Sequence, residues 1–433
     1  MNNLLQSKIK KKESKICITG LGYVGLPLAL RFVEEGFKVI GVDKDKDRCN
    51  LLNSKRSFLT HINDKEISLA LEKGLEITSD FKQIKKADVV IICVPTPLDK
   101  NRNPDLSYVV NCLDLMIPYL KKGQLLSLES TTYPGTTSEI VAPKIKDQGF
   151  KLGEDFFLVY SPEREDPGNE EYELKTIPKV CGGYTKNCVK VGKALYSSII
   201  DQVVEVSSTE CAEMTKLLEN IHRSVNIGLV NEMKIISDAM NIDINEVISA
   251  AATKPFGFVP YRPGPGLGGH CIPIDPFYLS WKAKEQGINA KFIELAGEIN
   301  VQMPEWVVTK IIHSLNGVNK PISKSQILVL GAAYKKNIGD IRESPSIKII
   351  ELLLAMGGDV SFSDPYVKQL KKSDSLKKNL RSKQLSPKFL SKLDCVVIAT
   401  DHDSFDYKEI LKFSNLIIDT RNKLPKHKKV IKA

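Results

Sequence analysis

The sequence has no CxxC pair, although it contains nine cysteines. Their odd number and scattered positions argue against a disulfide framework and against a cysteine-based zinc site, and they indicate a reducing compartment. No group of aspartate, glutamate and histidine residues has metal-ligand spacing either. We therefore predict no metal.

Long apolar runs are also missing, because none approaches the roughly 20 residues that cross a membrane. Residues 1–12 lack the apolar centre of a signal peptide, and residues 8–12 are expected to form a solvated tail. These two absences predict a cytoplasmic protein with no membrane partner.

Aromatic residues make up only 7% of the chain, whereas basic residues are abundant and give a formal net charge of +10. Much of the excess lies in the Lys- and Ser-rich range 368–392, which we interpret as a surface insertion. A nucleic-acid interface is the second interpretation, but the range lacks a pattern of interleaved aromatic residues and any known binding module. The charge fits an anionic small-molecule partner, and we predict no nucleic-acid partner.

A glycine motif stands near the N-terminus. The range 20–25, GLGYVG, follows a short apolar strand at 15–19 and opens a segment with helical spacing. A second strand at 37–42 ends at Asp43. This order is the dinucleotide-binding fingerprint, in which the glycines admit a pyrophosphate to a helix N-terminus. Because the Asp43 carboxylate would accept from ribose hydroxyls and repel a 2′-phosphate, the sequence predicts NAD rather than NADP.

Two cations, Lys44 and Arg48, follow this acid. Either they soften the exclusion of NADP or they frame the adenosine end of the cofactor, and we favour the second interpretation. A glycine-rich turn in a different α/β protein is the alternative for the motif as a whole. The complete strand, helix and strand context argues against it.

Buried strands recur along the chain, which at 433 residues is long enough for two or three domains. Three strands, at 87–94, 124–129 and 157–160, lead into the polar loops 95–97, 130–136 and 161–164. Ligands of an open parallel sheet bind beyond the carboxyl ends of its strands, so we expect these loops to line one cleft with the glycine loop. A second α/β unit, without GxGxxG, is predicted from strands at 326–331, 359–362, 394–400 and 416–419.

A long helix is predicted between the two units. Ser207 and Glu210 have capping-box spacing, and helical periodicity continues to about Met240, a length of ~45 Å that can bridge two domains and carry a dimer contact. One side of this helix is predicted to be apolar, with Leu217, Leu218, Ile221, Val225 and Leu229. A solvated stripe is the plain interpretation of a second, polar side, which carries Lys216, Asn220 and Arg223. Asp243 and Glu246 repeat the capping spacing for the next helix.

Cys271 lies in the range 263–276, PGPGLGGHCIPIDP, where glycines and prolines predict a tight, irregular loop. A thiol on such a loop becomes a nucleophile where its thiolate is favoured. The alternative is a small buried hydrophobe, as most free cysteines are.

Together these motifs resemble the UDP-glucose/GDP-mannose dehydrogenase family over nearly the whole chain. Besides the glycine motif and Asp43, the resemblance rests on 93–97 (CVPTP), 129–132 (ESTT), 161–164 (SPER), 216–220 (KLLEN), 268–276 (GGHCIPIDP), 330–335 (LGAAYK), 342–345 (RESP) and 418–421 (IDTR). Within the family, 161–169 and 254–258 look most like the UDP-N-acetyl-D-glucosamine 6-dehydrogenases of O-antigen and capsule pathways. Arg262 departs from that subgroup, where an aromatic residue is expected, and resembles an arginine that other members place near the nucleotide.

The resemblance implies two Rossmann-like, doubly wound parallel-sheet domains joined by a long central helix and a helical middle domain. The expected domains are an NAD-binding domain at 1–205, a central helical domain with the cysteine loop at 206–315, and a UDP-sugar-binding domain at 316–433. A homodimer or a higher homo-oligomer is expected.

The resemblance also implies a four-electron oxidation of the C6 hydroxyl of a UDP-sugar by two hydride transfers to NAD. Cys271 would capture the intermediate aldehyde as a thiohemiacetal and then carry the thioester. Glu163 is the implied general base for hydrolysis, with Thr131 and Asp275 positioning the water. Lys216 and Asn220 would stabilise charge on the reacting oxygen, which removes the solvated-stripe interpretation for these two residues.

The remaining implied site residues fall into two groups. The cofactor would be bound by Gly20, Gly22, Tyr23, Val24, Gly25, Asp43, Arg48, Thr96 and Thr131. The UDP-sugar would be bound by Glu163, Arg164, Lys216, Asn220, Arg262, Gly268, Lys335 and Arg421. Lys335 and Arg421 resemble the family's contacts to UDP, and surface charge at strand ends is the alternative for both.

Arg164 bears on the choice of sugar, because its planar fork of donors suits the carbonyl oxygen of a 2-acetamido group. We therefore expect UDP-N-acetylglucosamine, with UDP-N-acetylmannosamine or UDP-glucose as alternatives. Pairing of Arg164 with the carboxylates of its own loop is the competing interpretation. A non-catalytic sensor of NAD and nucleotide sugars is the alternative from another class, and the presence of Cys271, Lys216 and Glu163 argues against it.

Overall fold

The computed structural model describes residues 1–59, 62–164, 173–269, 272–373, 376 and 378–433. The helices are α1 (Asn2–Lys10), α2 (Gly25–Glu34), α3 (Lys46–Asn53), α4 (Asp64–Lys73), α5 (Ser107–Met116), α6 (Ala142–Lys146), α7 (Lys186–Tyr196), α8 (Thr209–Ala239), α9 (Ile244–Ala251), α10 (Asp275–Glu285), α11 (Lys291–Asn316), α12 (Pro345–Ala355), α13 (Pro387–Leu390) and α14 (Tyr407–Phe413). The strands are β1 (Lys15–Thr19), β2 (Lys38–Val42), β3 (Leu75–Thr78), β4 (Val89–Ile92), β5 (Leu125–Leu128), β6 (Phe157–Tyr160), β7 (Lys179–Gly183), β8 (Val203–Val206), β9 (Gln326–Leu330), β10 (Asp359–Ser363), β11 (Gln369–Leu370), β12 (Leu380–Arg381), β13 (Cys395–Ile398), β14 (Ile417–Asp419) and β15 (Val430–Lys432).

The chain forms two compact units. The first contains Met1–Glu219 with Phe277–Ile288, and the second contains Asn220–Pro276 with Asn289–Ala433.

The first unit is built on an eight-stranded sheet in the order β3-β2-β1-β4-β5-β6-β7-β8. Its pairs are parallel except for β6 with β7, which is antiparallel. Helices cover both faces of this sheet, and the predicted doubly wound α/β fold is confirmed. The antiparallel pair was not predicted, because strand direction is not visible in a run of buried residues.

Alternation along β1 shows why both faces are covered. Ile16 and Ile18 join the apolar cluster on one face, while Cys17 between them joins the cluster on the other. All three side chains are fully buried. Since each fully buried aliphatic side chain contributes about 1.5–3 kcal/mol, a strand with two apolar faces is stable only between two layers of helices.

The N-terminal segment corrects an expectation. Residues 8–10, expected to belong to a solvated tail, are the last residues of α1, and α1 packs on α7. Leu5 and Ile9, one turn apart, are buried in the first unit's core. Lys8 pairs with Asp88 at 3.0 Å on the rim of the same contact.

The second unit contains a five-stranded parallel sheet in the order β10-β9-β13-β14-β15. Alternate residues of β9 again join different clusters, since Ile327 lies in one and Leu328 in the other. The four strands predicted for this unit are confirmed within a few residues at their ends.

The range 368–392 is not simply a surface insertion, as the sequence had suggested. It contains the antiparallel pair β11 and β12 and the short helix α13. Leu370, Leu376 and Leu380 are buried in the core of the second unit. Their apolar contribution was hidden in the sequence by the surrounding lysines.

The long helix is α8, of 31 residues. Its cap is Ser208 rather than Ser207, because the Ser208 Oγ accepts from the Cys211 amide at 3.2 Å. The predicted apolar side is wrong for Leu218 and Leu229, which are 63% and 53% exposed. The buried side is largely polar and includes Glu213, Lys216, Asn220, Ser224, Asn231, Lys234 and Ser237. The predicted cap of α9 is confirmed, since Asp243 accepts from the Asn245 amide at 2.9 Å.

Candidate active site

The glycine loop joins β1 to α2, and each glycine has a separate reason to lack a side chain. Gly20 has a φ of +89°, and a Cβ there would lie 2.4 Å from the Cys93 carbonyl oxygen. A Cβ at Gly25 would lie 1.9 Å from the Gly20 oxygen. At Gly22, by contrast, a Cβ would meet no described atom within 4 Å. Gly20 therefore permits the tight turn, and Gly25 permits close packing of α2 against that turn. Gly22 leaves room for a pyrophosphate.

Asp43 follows β2 and is almost fully buried. Its Oδ2 accepts from the Leu21 amide and from Arg48 Nη1, both at 2.8 Å, and its Oδ1 accepts from the Asp45 amide at 2.9 Å. The carboxylate is thus fixed beside the glycine loop, where it suits a ribose. Together with the open space at Gly22, this arrangement fits NAD.

The strand-end loops lie along the same edge of the first sheet, because β1, β4, β5 and β6 are neighbouring parallel strands. Ser130 ties two of these loops together, since its Oγ donates to the Val94 oxygen at 2.7 Å and accepts from the Val94 amide at 3.0 Å. Thr96 is buried and Thr131 is half-buried in these loops. The other implied cofactor contacts, Tyr23 and Val24, lie at the start of α2.

Glu163 follows β6 and meets Lys216 of α8. The Lys216 Nζ lies 3.6 Å from Glu163 Oε2 and also donates to the Glu163 carbonyl oxygen. Burial raises the pKa of Glu163, although the ammonium groups of Lys216 and Lys179 oppose the rise. A buried carboxylate with a raised pKa beside a buried ammonium is an arrangement typical of proton-transfer sites.

A buried ion pair stands behind this loop, and the sequence analysis missed it. Lys179 Nζ lies 2.8 Å from Glu129 Oε2, and both side chains are almost fully buried. The Tyr196 hydroxyl donates to the other Glu129 oxygen at 2.6 Å. Lys179 also donates to the Pro162 carbonyl oxygen at 3.3 Å. Glu129 stood in a quoted motif, but no local signal pointed to Lys179 as its partner.

A second missed contact involves Glu213, which is fully buried on α8. It accepts from the Gly135 amide at 2.7 Å and from the Thr137 amide at 2.9 Å. Burial raises the pKa of Glu213 to about 7, and these hydrogen bonds oppose the rise. Glu213 thereby fixes the loop that follows Thr131 to α8.

Arg164 has partners that neither interpretation of the sequence anticipated. Its Nη2 lies 2.8 Å from Glu219 Oε1, its Nε donates to Glu219 Oε2 at 3.3 Å, and its Nη1 donates to the Pro178 carbonyl oxygen. The guanidinium fork is therefore engaged by α8 and by the backbone before β7. These contacts favour a role in holding the loop, and the predicted contact of Arg164 with a sugar acetamido group stays a prediction.

In the second unit, Asn220 donates from Nδ2 to Asp275 Oδ2 at 2.5 Å. Both residues are buried, as is Lys216 one helical turn before Asn220. A solvated stripe is therefore excluded for Lys216 and Asn220, whereas Arg223 is exposed.

The loop before Cys271 is closely packed. A Cβ at Gly268 would lie 2.4 Å from the Tyr334 Cβ, and one at Gly264 would lie 2.8 Å from Arg421 Nη1. Arg421 and Lys335 are both half-buried, and Arg421 donates from Nε to the Ala399 oxygen at 2.7 Å.

Other predicted contacts lie elsewhere or outside the described residues. Arg262 is exposed and bonds α9, through the Asn245 oxygen and the Ser249 hydroxyl, both at 3.1 Å. His270 and Cys271 lie outside the described residues, as does the 165–169 part of the loop after Arg164.

The second sheet repeats the turn of the first. Gly331 has a φ of +83°, and the Ala332 and Ala333 amides donate to Asp364 Oδ2 at 2.7 and 3.1 Å. The same oxygen lies 3.0 Å from Nε2 of His402, which is fully buried. The imidazole therefore covers the acid that occupies the position of Asp43.

Comparison with known families accounts for most of the chain. Residues 14–200 match the NAD binding domain of the UDP-glucose/GDP-mannose dehydrogenase family, 210–302 its central domain, and 328–426 its UDP binding domain. The chain belongs to the UDP-glucose/GDP-mannose dehydrogenase family. The predictions of an NAD-dependent nucleotide-sugar dehydrogenase and of NAD as cofactor are confirmed. Nothing in these matches supports a non-catalytic sensor.

Individual members of the family resemble the chain over most of its length. A UDP-N-acetyl-D-mannosamine dehydrogenase of Methanococcus vannielii is 37% identical over 429 residues, covering 95% of this chain and 94% of the relative. A UDP-N-acetyl-D-glucosamine 6-dehydrogenase of Pseudomonas aeruginosa is 36% identical over 358 residues, covering 82% and 84%. The solved structure of a UDP-N-acetylmannosamine dehydrogenase from Pyrococcus horikoshii superimposes with a TM-score of 0.85 at 32% identity, covering 95% of this chain and 96% of that one.

None of the described helices combines the length and the apolar character that crossing a bilayer requires.

Proposed function

We propose that this protein oxidises the C6 hydroxyl of a UDP-linked 2-acetamido sugar to a carboxylate. The observation that carries the proposal is the buried Glu163–Lys216 pair, which lies in the same compact unit as the NAD motif. It supplies a base and a cation at the carboxyl edge of the sheet, where a sugar beside NAD would react.

NAD held by the glycine loop and Asp43 would supply the acceptor for the hydrides lost from C6 in both halves of the proposed reaction. In the first half, the C6 hydroxyl becomes an aldehyde. Lys216 and Asn220 stabilise the negative charge that develops on the sugar oxygen, and the alcohol proton leaves through a general base or a held water. Because Lys216 contacts Glu163, the cation and the proposed base act on the same part of the substrate.

In the second half, the Cys271 thiolate attacks the C6 aldehyde and forms a thiohemiacetal, which becomes a thioester when the second hydride leaves. Glu163 takes the proton of the water that hydrolyses this thioester, with Thr131 and Asp275 positioning it. The raised pKa of Glu163 suits this step, because a base is most effective when its pKa is near the working pH.

The UDP half of the substrate is assigned to Lys335 and Arg421, whose cations suit a diphosphate. The close packing of Gly268 against Tyr334 and of Gly264 against Arg421 supports this assignment, because it brings the loop before Cys271 to Arg421 and to the neighbour of Lys335. The proposed domains are 1–205 for NAD, 206–315 for the central helices and 316–433 for the UDP-sugar.

For the sugar itself we propose UDP-N-acetylglucosamine, with UDP-N-acetylmannosamine as the second candidate because relatives carry both names. The test measures NADH formed by the purified protein with each of these sugars and with UDP-glucose. Two NADH per acetamido sugar, and a clearly lower kcat/KM for UDP-glucose, are expected. Equal kcat/KM for UDP-glucose would contradict the acetamido assignment, and a higher value for the mannosamine sugar would replace the first candidate.

The proposal places this enzyme in the cytoplasm, in the synthesis of cell-surface polysaccharides, and as a homodimer. The eight cysteines of the described residues are free, which supports a reducing compartment. The outer side of α8 supports a dimer, because it exposes Met214, Leu218, Leu229, Met233 and Ile236, and the exposed Met240 follows directly after the helix.

The dimer is tested by light scattering of Leu229→Lys, which is expected to lower the molar mass to that of one chain. Leu69→Lys, at an exposed leucine of α4, serves as the matched control and is expected to leave the mass unchanged. A wild-type protein that is a single chain at micromolar concentration would overturn this part of the proposal.

A further inference from the structure

Two buried lysines hold consecutive carbonyl groups of the loop that carries Glu163. Lys179 of β7 donates to the Pro162 oxygen at 3.3 Å, and Lys216 of α8 donates to the Glu163 oxygen. Lys216 also faces the Glu163 carboxylate and belongs to the proposed reaction. Lys179 has no role in that reaction, and its burial requires a reason, because an ammonium group is costly to remove from water.

The counter-ion of Lys179 is Glu129, the last residue before the Ser130–Thr131 loop. Its two carboxylate oxygens have different partners, Lys179 at 2.8 Å and the Tyr196 hydroxyl at 2.6 Å. Burial raises the pKa of Tyr196 well above its usual value, and Glu129 adds to the rise, so the hydroxyl remains a donor. The pair thus has hydrogen bonds on both sides.

The network connects the two loops that the proposed hydrolysis uses. One end reaches the Thr131 loop through the backbone of Glu129, and the other reaches the Glu163 loop through Pro162. Arg164 fastens the same region from outside, because it donates to the Pro178 oxygen, next to Lys179. A displacement of Lys179 would therefore move the base relative to the residue that positions its water.

We propose that Lys179, balanced by Glu129, is a positioning residue that sets the proton affinity and the placement of Glu163 for thioester hydrolysis. This inference rests on the proposed function, since it assigns Glu163 the role of base. Among the described residues, the charged groups that act on Glu163 include Lys216 from α8, Lys179 from β7 and Glu129, which follows β5. The two lysines favour the ionised carboxylate and Glu129 disfavours it.

The opposite signs of Lys179 and Glu129 give a test that a purely structural role would not pass. Lys179→Met removes a cation, so the acid limb of the pH profile of kcat is expected to move up, by about one pH unit. Glu129→Gln removes an anion and is expected to move the same limb down. The double variant is expected to lie between the two, because both charges are gone.

The matched control is Lys193→Met, which removes a lysine from the exposed Lys193–Glu205 pair of the same unit. Its acid limb is expected to coincide with that of the wild type. Intact-protein mass is measured alongside, and Lys179→Met is expected to accumulate the thioester below the shifted limb. Lys179→Met is expected to change kcat rather than the KM for NAD, because the network contacts the loops used in hydrolysis.

Each outcome decides between support and rejection. Shifts of the same sign in Lys179→Met and Glu129→Gln, or no shift in either, overturn the inference while leaving the enzyme's reaction intact. If Lys179→Met does not fold, Glu129→Gln alone decides, and an unmoved acid limb rejects the role. A wild type that oxidises no UDP-sugar overturns the proposed function itself, which is a separate and earlier result.

Discussion

Arg48 donates to the same oxygen of Asp43 that accepts from the Leu21 amide, at 2.8 Å in both cases. A 2′-phosphate that approached this acid would therefore also meet the cation, which favours the interpretation that Arg48 softens the exclusion of NADP. We expect Arg48→Ala to lower kcat/KM for NADP by about tenfold more than for NAD, since about 1.4 kcal/mol corresponds to a factor of ten. The measurement is NADH or NADPH formation with each cofactor at saturating sugar.

Asp43→Asn removes the anion of this pair instead of the cation. Removing the negative charge is expected to raise the use of NADP relative to NAD, because the phosphate then meets only Arg48. Better use of NADP than of NAD by the wild type would contradict the assignment of Asp43.

The proposed covalent catalysis by Cys271 predicts how many hydrides each variant transfers per sugar. Cys271→Ser is expected to stop after at most one NADH per sugar, because an ester on serine does not reproduce the thioester route. Glu163→Gln is expected to slow hydrolysis by about 10²- to 10⁴-fold and to trap the thioester as added protein mass. Cys211→Ser, at an exposed cysteine, is the control and is expected to behave as the wild type. A Cys271→Ser variant that yields two NADH at the wild-type rate would falsify thiol catalysis.

The Arg164–Glu219 pair predicts that Arg164 does not select the sugar directly. Because its guanidinium is bound to Glu219 and to the Pro178 oxygen, Arg164→Ala is expected to lower kcat/KM for all UDP-sugars in similar proportion. Glu219→Ala, which removes the other half of the pair, is expected to give the same pattern. If kcat/KM fell only for acetamido sugars, and only in Arg164→Ala, the result would instead support a direct contact between Arg164 and the acetamido group.

Glu213 predicts a specific dependence of stability on pH. Its pKa is raised from 4.5 to about 7 in the folded protein, so the folded state holds its proton more tightly than the unfolded state. The stabilising contribution is complete below pH 4.5 and is lost as pH rises towards 7. The slope is up to about 1.4 kcal/mol per pH unit.

Glu213→Gln removes this titration. Chemical denaturation of both proteins is measured at several pH values. The unfolding free energy of the wild type minus that of the variant is expected to fall as pH rises from 4.5 towards 7. A constant difference would mean that Glu213 does not titrate there.

The fold could be predicted from the sequence wherever residues close together in the chain specify the structure. The strand at 157–160 has the predicted bounds, and the glycine turn with Asp43 was predicted because neighbouring residues specify it. Residues 8–12 and 368–392 were misjudged for one reason. A few buried leucine and isoleucine side chains, such as Leu5 and Ile9, anchor segments whose composition is dominated by lysine.

In the site, too, local motifs were predicted and long-range pairs were missed. Lys216 and Asn220 were identified by their motif, and their burial agrees with a role in the site. The Lys179–Glu129 pair joins residues 50 positions apart, and the Arg164–Glu219 pair joins residues 55 apart. Neither spacing has a sequence signature, because such pairs form only after the sheet order has placed their strands and α8.

The buried His402 beside Asp364 bears on the stoichiometry of the reaction. In the described residues of the second unit, the acid that corresponds to Asp43 is covered by an imidazole, which favours the glycine loop of the first unit as the dinucleotide site of the proposed reaction. Two cofactor molecules would then use that site in succession. The first NADH would depart between the two oxidations, and the proposed bond to Cys271 would hold the half-oxidised sugar while the cofactor is exchanged.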